Sequence, residues 1–376
     1  MSWIEWRDGV ISEIGCAGRW RTARSFDASG PRGRLVDDDR PVVSFASNDY
    51  LGLAAHPVVT AAAHAALDRW GAGAGASRLI VGSRPVHTDL ESALAEWKAT
   101  EAAVVFSTGY AANLGLLTTV GEPGVLICSD ELNHASIVDG ARLARAEVRV
   151  YRHRDTDHLA ALMAGAPGRT VVVSDSVFSM DGDVADLDGL AELCARHGAL
   201  LVLDEAHAVL GPDASALDGE VEILRVGTLS KALGSLGGFV AGSRRWVDLL
   251  INRARPFIFT TAPTPADAAA ALAALGVLRS AEGAGLLDRL RANVEALRPG
   301  HPSPIVALVL GPESRALQAS DDLLERGLLV PAIRPPTVPV ASSRLRVALS
   351  AAHGRDEVDA LRSALDDLGL VCVGAS

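Results

Sequence analysis

The sequence predicts an α/β fold with a mostly parallel central sheet, followed by a smaller α+β C-terminal domain. Two observations carry this. From residue 41 to residue 262, short near-continuous apolar runs alternate with amphipathic stretches, the pattern of parallel strands covered on both faces by helices. From residue 263 to residue 376 that alternation stops, and strand-like and helical runs follow in a looser order. Residues 1–40 are charged and turn-rich, end in "GPRGRLVDDDRP", and read as an arm laid on the rest.

Each element has its own reason. The large-domain strands are "AAVVFS", "GVLICSD", "EVRVYRH", "RTVVVSDSVFS", "GALLVLDEAH", "VEILRVGTLS" and "GGFVAG". Between them, "VHTDLESALAEWKAT", "HASIVDGARLARA" and "LDGLAELCARHG" place apolar residues at helical spacing. The alanine-rich "PTPADAAAALAALGVLRS" then leads away as a long helix. The small domain holds the strands "SPIVALVLG" and "RLRVALSAAH" and the helices "SRALQASDDLLERG" and "GRDEVDALRSALDDLG". Its "AIRPPTVPVASS" is stiffened by prolines that each fix φ, and reads as a shaped loop near a site.

Totals narrow the function. The 376 residues are 49% apolar and 22% charged, as in ordinary globular proteins. A net charge of −11 argues against a nucleic-acid binder, which needs clustered Lys and Arg. Cys16, Cys128, Cys194 and Cys372 lie far apart with no CxxC pair, which suits reduced thiols and not a disulfide frame or a metal site. The opening "MSWIEWRDGVISEIG" carries acids early, unlike a signal peptide, and no apolar stretch reaches the ~20 residues of a membrane span. A soluble cytoplasmic enzyme, with no membrane partner, is the expectation.

Ligands of such sheets gather at the carboxyl ends of the strands, and several polar residues fall there. "ALLVLDEAH" ends in Asp204 and His207, and a carboxylate at the end of a buried strand is costly unless paired. In "VFSTGYAANLG", Gly109 and Tyr110 open a helix whose first N–H groups can cradle a phosphate. "GAGAGASRLIVG" lacks the preceding strand that a dinucleotide site requires. His134 stands at a strand-to-helix junction, and Ser179 in the turn-rich "DSVFSMDGD". Alone, each reads equally well as a cap or an ion pair. In "RVGTLSKALGSLGGFVAG", however, Lys231 sits almost without charged neighbours, the setting of an amine nucleophile kept reactive by desolvation. Together these residues match the needs of pyridoxal phosphate: an amine, a carboxylate for the ring nitrogen, and a phosphate cradle.

"SNDYLGL", "GAGASRLIVG", "FSTGYAANLG", "NHAS", "SVFSMDGD", "DEAH" and "TLSKALGSLGG" resemble, in order, the α-oxoamine synthases, a family of fold-type I pyridoxal phosphate transferases. The matches run from about residue 40 to residue 355, and "AIRPPTVP" with "SRLRVALSAAH" looks most like the biotin-pathway branch. The resemblance implies that Lys231 carries the cofactor as an imine and later removes the substrate's α-proton. It implies that Asp204 holds the pyridinium nitrogen, His134 stacks on the ring, and Ser179 and His207 hydrogen-bond its phenolic oxygen. Thr228 and the backbone of Gly109 and Tyr110 would bind phosphate. Thr260 and Thr261 would reach the phosphate of a neighbouring copy in a homodimer with shared active sites. Arg346 would clamp the substrate carboxylate, and Asn48, Thr337 and Arg21 would line the substrate side, with Arg19 and Arg24 as rivals of Arg21 in the arm. The substrates implied are L-alanine and a pimeloyl thioester, on coenzyme A or an acyl carrier protein. The alternatives are a sister synthase using glycine and acetyl-CoA and, more remotely, an aminotransferase on the same fold. The text after "DEAH" departs from the family: Ala208 stands where a Gly or Ser is common, and the loop that follows is short.

Overall fold

A computed structural model describes the chain except residues 167, 218–220 and 371–376, so Cys372 lies outside the described residues. The central sheet has seven strands in the order Ala102–Phe106, Gly238–Gly242, Ile223–Thr228, Leu200–Asp204, Arg169–Asp175, Val125–Asp130 and Glu147–Tyr151. Six of them run in the same direction, and only Gly238–Gly242 is reversed, antiparallel to both its neighbours. The apolar runs are continuous because both faces are buried. Along Val125–Asp130, for example, Val125 and Ile127 face one helical layer and Leu126 and Cys128 the other. The first layer contains Ala112, Leu116 and Leu117 of helix Gly109–Val120 and Ile137 of helix Ala135–Leu143. The second contains Leu159 of Thr156–Met163 and Leu190 of Leu187–His197.

The expected boundaries at residues 40 and 262 are both crossed. Phe26–Ala28, Arg32–Leu35 and Arg40–Ser44 form a meander, and the last of these pairs in parallel with Leu328–Leu329, deep in the C-terminal third. The arm is therefore part of a sheet, while the helix Trp3–Cys16 buries none of its residues. The alanine-rich helix Pro265–Leu278 packs on helices Pro57–Trp70 and Pro85–Trp97 of the large domain, because its small side chains allow close approach on every side. Beyond it, Ile305–Gly311, Ser343–Ala348 and Ala332–Ile333 form an antiparallel three-stranded sheet covered by Glu313–Glu325 and Arg355–Asp367. Among the described residues no single helix is long and apolar enough to cross a membrane.

Candidate active site

The strand ends converge on a cavity of about 190 Å3 lined by Gly109, Tyr110, Asn113, His134, Asp175, Asp204, His207, Thr228 and Lys231, among others. Leu200–Asp204 delivers Asp204, and the turn after it folds His207 back over the strand ends. Ile223–Thr228 delivers Thr228, then Ser230 and Lys231. Sequence positions 109 to 231 thus meet in one place because parallel strands all point their carboxyl ends the same way.

Asp204 is buried, and each of its oxygens has a donor. Oδ1 accepts from the Ala206 N–H at 2.9 Å, and Oδ2 from Asn113 Nδ2 at 2.7 Å. Asn113 Nδ2 also donates to Ser136 Oγ at 2.9 Å, while its Oδ1 is buried without a partner. His134 caps the helix that follows it. The backbone N–H of Ser136, which can only donate, reaches His134 Nδ1 at 3.2 Å, so this nitrogen is an acceptor and the ring proton sits on Nε2. Burial lowers the His134 pKa, in keeping with a neutral ring. The wholly buried Asp175 accepts from the His134 N–H at 2.9 Å. Burial, and then the charge of Asp204, drive its pKa well above the usual carboxylate range.

Lys231 is not unpartnered, as its sequence setting suggested. Its Nζ lies 2.8 Å from His207 Nε2, a neutral partner instead of a carboxylate. Burial lowers the lysine's pKa, opposed by the charges of Asp204 and Asp175 and assisted by Arg346. His207 falls well below its ordinary value through burial and the cations Lys231 and Arg346.

At the other end of the cavity, Thr108 caps helix Gly109–Val120, whose first-turn N–H groups lack intrahelical partners. Thr228 Oγ1 and Ser230 Oγ stand 2.8 Å apart beside it. A Cβ on Gly238 would collide with the backbone N of Gly109, so only glycine lets this strand meet the helix terminus. Gly234, three residues after Lys231, has a φ of +59° and abuts the backbone of Leu53 and Ala54, not the cavity. An amine, a carboxylate held by two donors, an imidazole and an anion cradle in one cleft fit pyridoxal phosphate.

The remaining predicted residues are spread wider. Arg346 is buried, donating from Nε to the Ser179 carbonyl at 2.6 Å and from its terminal nitrogen to Asn48 Oδ1 at 3.1 Å. Ser179 itself is buried but does not line the cleft around Lys231. Thr337 lines an adjacent cavity of about 730 Å3 with Asn133, Phe178, Met180 and Arg344. Arg21 is exposed and reaches the Pro335 carbonyl at 3.4 Å, while Arg19 is tied up with Glu313 at 2.7 Å. Thr260 and Thr261 follow helix Arg255–Ile258, outside the cleft. Sequence reasoning missed Tyr50, Asn113, Ser136, Asp175 and Ser230. "SNDYLGL" and "GYAANLG" contained Tyr50 and Asn113, but nothing in a linear pattern shows a buried hydrogen-bond partner.

The family model "Aminotransferase class I and II" matches residues 40–365. An 8-amino-7-oxononanoate synthase of Anaeromyxobacter dehalogenans is 50% identical over 96% of this chain and 95% of its own length. Another, from Methylobacterium nodulans, is 47% identical over 93% and 91%. Among solved structures, a serine palmitoyltransferase of S. paucimobilis with a bound PLP–myriocin aldimine has a TM-score of 0.91 at 29% identity, over 99% of this chain and 100% of that one. An 8-amino-7-oxononanoate synthase of Francisella tularensis has a TM-score of 0.72 at 26% identity, over 87% and 98%. With the cleft and these likenesses in agreement, the chain belongs to the class I and II aminotransferase family, in the α-oxoamine synthase group of fold-type I pyridoxal phosphate enzymes.

Proposed function

We propose that the chain condenses L-alanine with a pimeloyl thioester, with loss of CO2 and release of the thiol, to give 8-amino-7-oxononanoate for biotin synthesis. The carrying observation is the desolvated Lys231, 2.8 Å from a neutral His207, in one cleft with Asp204 and His134. Relatives of that name at up to 50% identity supply the substrate assignment. Bound pyridoxal phosphate supplies an aldehyde for the amine and a ring that accepts electron density from the substrate's α-carbon.

The chain's own residues do the rest. Lys231 would hold the cofactor through its amine and, as a free amine, would take the α-proton of the amino acid. Its lowered pKa raises the fraction of free amine near neutrality. Asp204 would hold the proton on the ring nitrogen, and its two donors fix the carboxylate's direction. His134 presents Nε2–H to the cleft as a donor. Arg346 offers a guanidinium to the substrate carboxylate, a group it fits in a forked geometry. The helix terminus at Gly109, with Thr228, anchors the phosphate.

A homodimer completes the reading. Leu79, Ile80, Val81 and Phe259 are exposed, and the Ala262 N–H ties their two segments together through the Ala76 carbonyl at 3.0 Å. Such an apolar patch suits a second copy, and Thr260 and Thr261 would then reach the neighbour's phosphate. Thiol release with L-alanine and pimeloyl-CoA tests the assignment. Faster turnover with glycine and acetyl-CoA, or with L-serine and palmitoyl-CoA, would transfer it to a sister synthase. Keto-acid formation without thiol release would make the protein an aminotransferase.

A further inference from the structure

The hydrogen bonds leading to Lys231 form one directed chain whose polarity is set at its far end. Arg346 has donors only, so the Asn48 atom it meets at 3.1 Å is the carbonyl oxygen Oδ1. The Tyr50 hydroxyl lies 3.1 Å from that same oxygen and donates to it. With its proton committed there, Tyr50 accepts from His207 Nδ1 at 2.6 Å, which puts the imidazole proton on Nδ1. Nε2 is left as a lone pair, and Lys231 Nζ donates to it at 2.8 Å.

We propose that Tyr50 is a positioning residue that holds His207 as the proton acceptor of Lys231 and thereby tunes the proton affinity of that amine. Tyr50 is fully buried among Phe45, Leu51 and Leu53, so both hydrogen bonds of its hydroxyl are made inside the protein. Three further charges bear on Lys231: Asp204 and Asp175 favour its ammonium, while Arg346 opposes it, and the neutral His134 beside them adds no charge. Asp204 and Asp175 make no hydrogen bond to the Tyr50 oxygen, while Arg346 keeps its charge and its bond to Asn48 when that oxygen is removed. Remove that oxygen and the buried Nδ1–H has no acceptor. The neutral ring then shifts its proton to Nε2 and turns a donor on Lys231. The ammonium loses its acceptor, the free amine gains a donor, and the lysine deprotonates at lower pH.

This rests on the reading of Lys231 as the residue that captures the cofactor. The test uses cofactor-free wild type and Tyr50→Phe, mixed with pyridoxal 5′-phosphate across a pH series. The free amine adds to the aldehyde and water leaves, so the uptake rate follows the free-amine fraction and levels off above its midpoint. Absorbance reports the rate, and borohydride reduction with peptide mapping locates the adduct. Tyr50→Phe is expected to move the midpoint down by about one pH unit, the worth of one charge-assisted hydrogen bond. A purely structural role would slow uptake at every pH and leave the midpoint in place, and that result overturns the proposal. Wild type that forms no adduct at Lys231 would defeat the reading of the site instead. Should Tyr50→Phe fail to fold, Asn48→Ala removes the acceptor of the tyrosine proton and lets the chain reverse. Its midpoint is expected to fall in the same direction, and an unmoved one again overturns the proposal.

Discussion

Exchanging Asp204 for asparagine replaces one carboxylate oxygen by an NH2 group inside a cage of donors. Oδ1 faces the Ala206 N–H and Oδ2 faces Asn113 Nδ2, so either placement of the new amide sets donor against donor. Asn113 can answer by turning over, since its Oδ1 is free, but that withdraws the donor from Ser136 Oγ and disturbs the His134 cap. The helix terminus at Gly109 and the hydroxyls of Thr228 and Ser230 are untouched, so the cofactor is expected to remain bound. Lost is the anion proposed to face the ring nitrogen. Removing one group aimed at developing charge costs about 10²–10³ in kcat, roughly 3–4 kcal/mol of barrier. Thiol release at saturating L-alanine and pimeloyl-CoA reads that loss, and cofactor absorbance checks occupancy. A kcat near wild type at full occupancy would refute the electron-sink role of Asp204.

Other perturbations follow from the packing around the cleft. Gly238→Ala drives a Cβ into the Gly109 backbone and is expected to weaken cofactor retention at least tenfold, read by dialysis, and to cost about 1–3 kcal/mol in chemical denaturation. Behind the site, Arg225 and Lys98 both pair with buried Glu205 at 2.7 Å. Arg225→Met leaves one acid with half its partners and is expected to cost roughly 3–5 kcal/mol of stability, by the same measurement. Burial disfavours charge on His153, but its hydrogen bonds to Asp130 and Asp183 outweigh this and carry its pKa up to about 9. A raised pKa stabilises in full below the ordinary histidine value and loses that contribution as pH rises through about 9. His153→Gln is therefore expected to cost about 3 kcal/mol near pH 6 and far less above pH 10, and an equal cost at both would exclude this linkage.

Strands were legible because a buried parallel sheet writes itself as apolar runs, and their carboxyl ends then pointed to Asp204, His207 and Lys231. The reversed direction of Gly238–Gly242 could not be read, since pairing sense leaves no mark on a five-residue apolar run. Nor could the place of Phe26–Ser44 in a sheet: its strands are short and charged, and the partner, Leu328–Leu329, lies far along the chain. Lys231 was found through its apolar surroundings, yet its link to His207 was missed, because a neutral imidazole is invisible to a search for countercharges. Tyr50 and Asn113 escaped for a related reason. Their importance lies in which proton goes where, and that is settled only when six segments meet.

The parallel pairing of Val43 with Leu328 has a consequence for the way this polypeptide is made. About 285 residues separate the two strands in the order of synthesis. At roughly 5–20 residues per second, a ribosome takes about 15–60 s to deliver the second after the first. Throughout that interval the N–H groups of Val43 and Phe45 await the carbonyls of Gly327 and Leu329, leaving an open strand edge able to recruit other nascent chains. Slowing translation past codon 45 should therefore raise the aggregated fraction, while co-expression of a holdase should lower it.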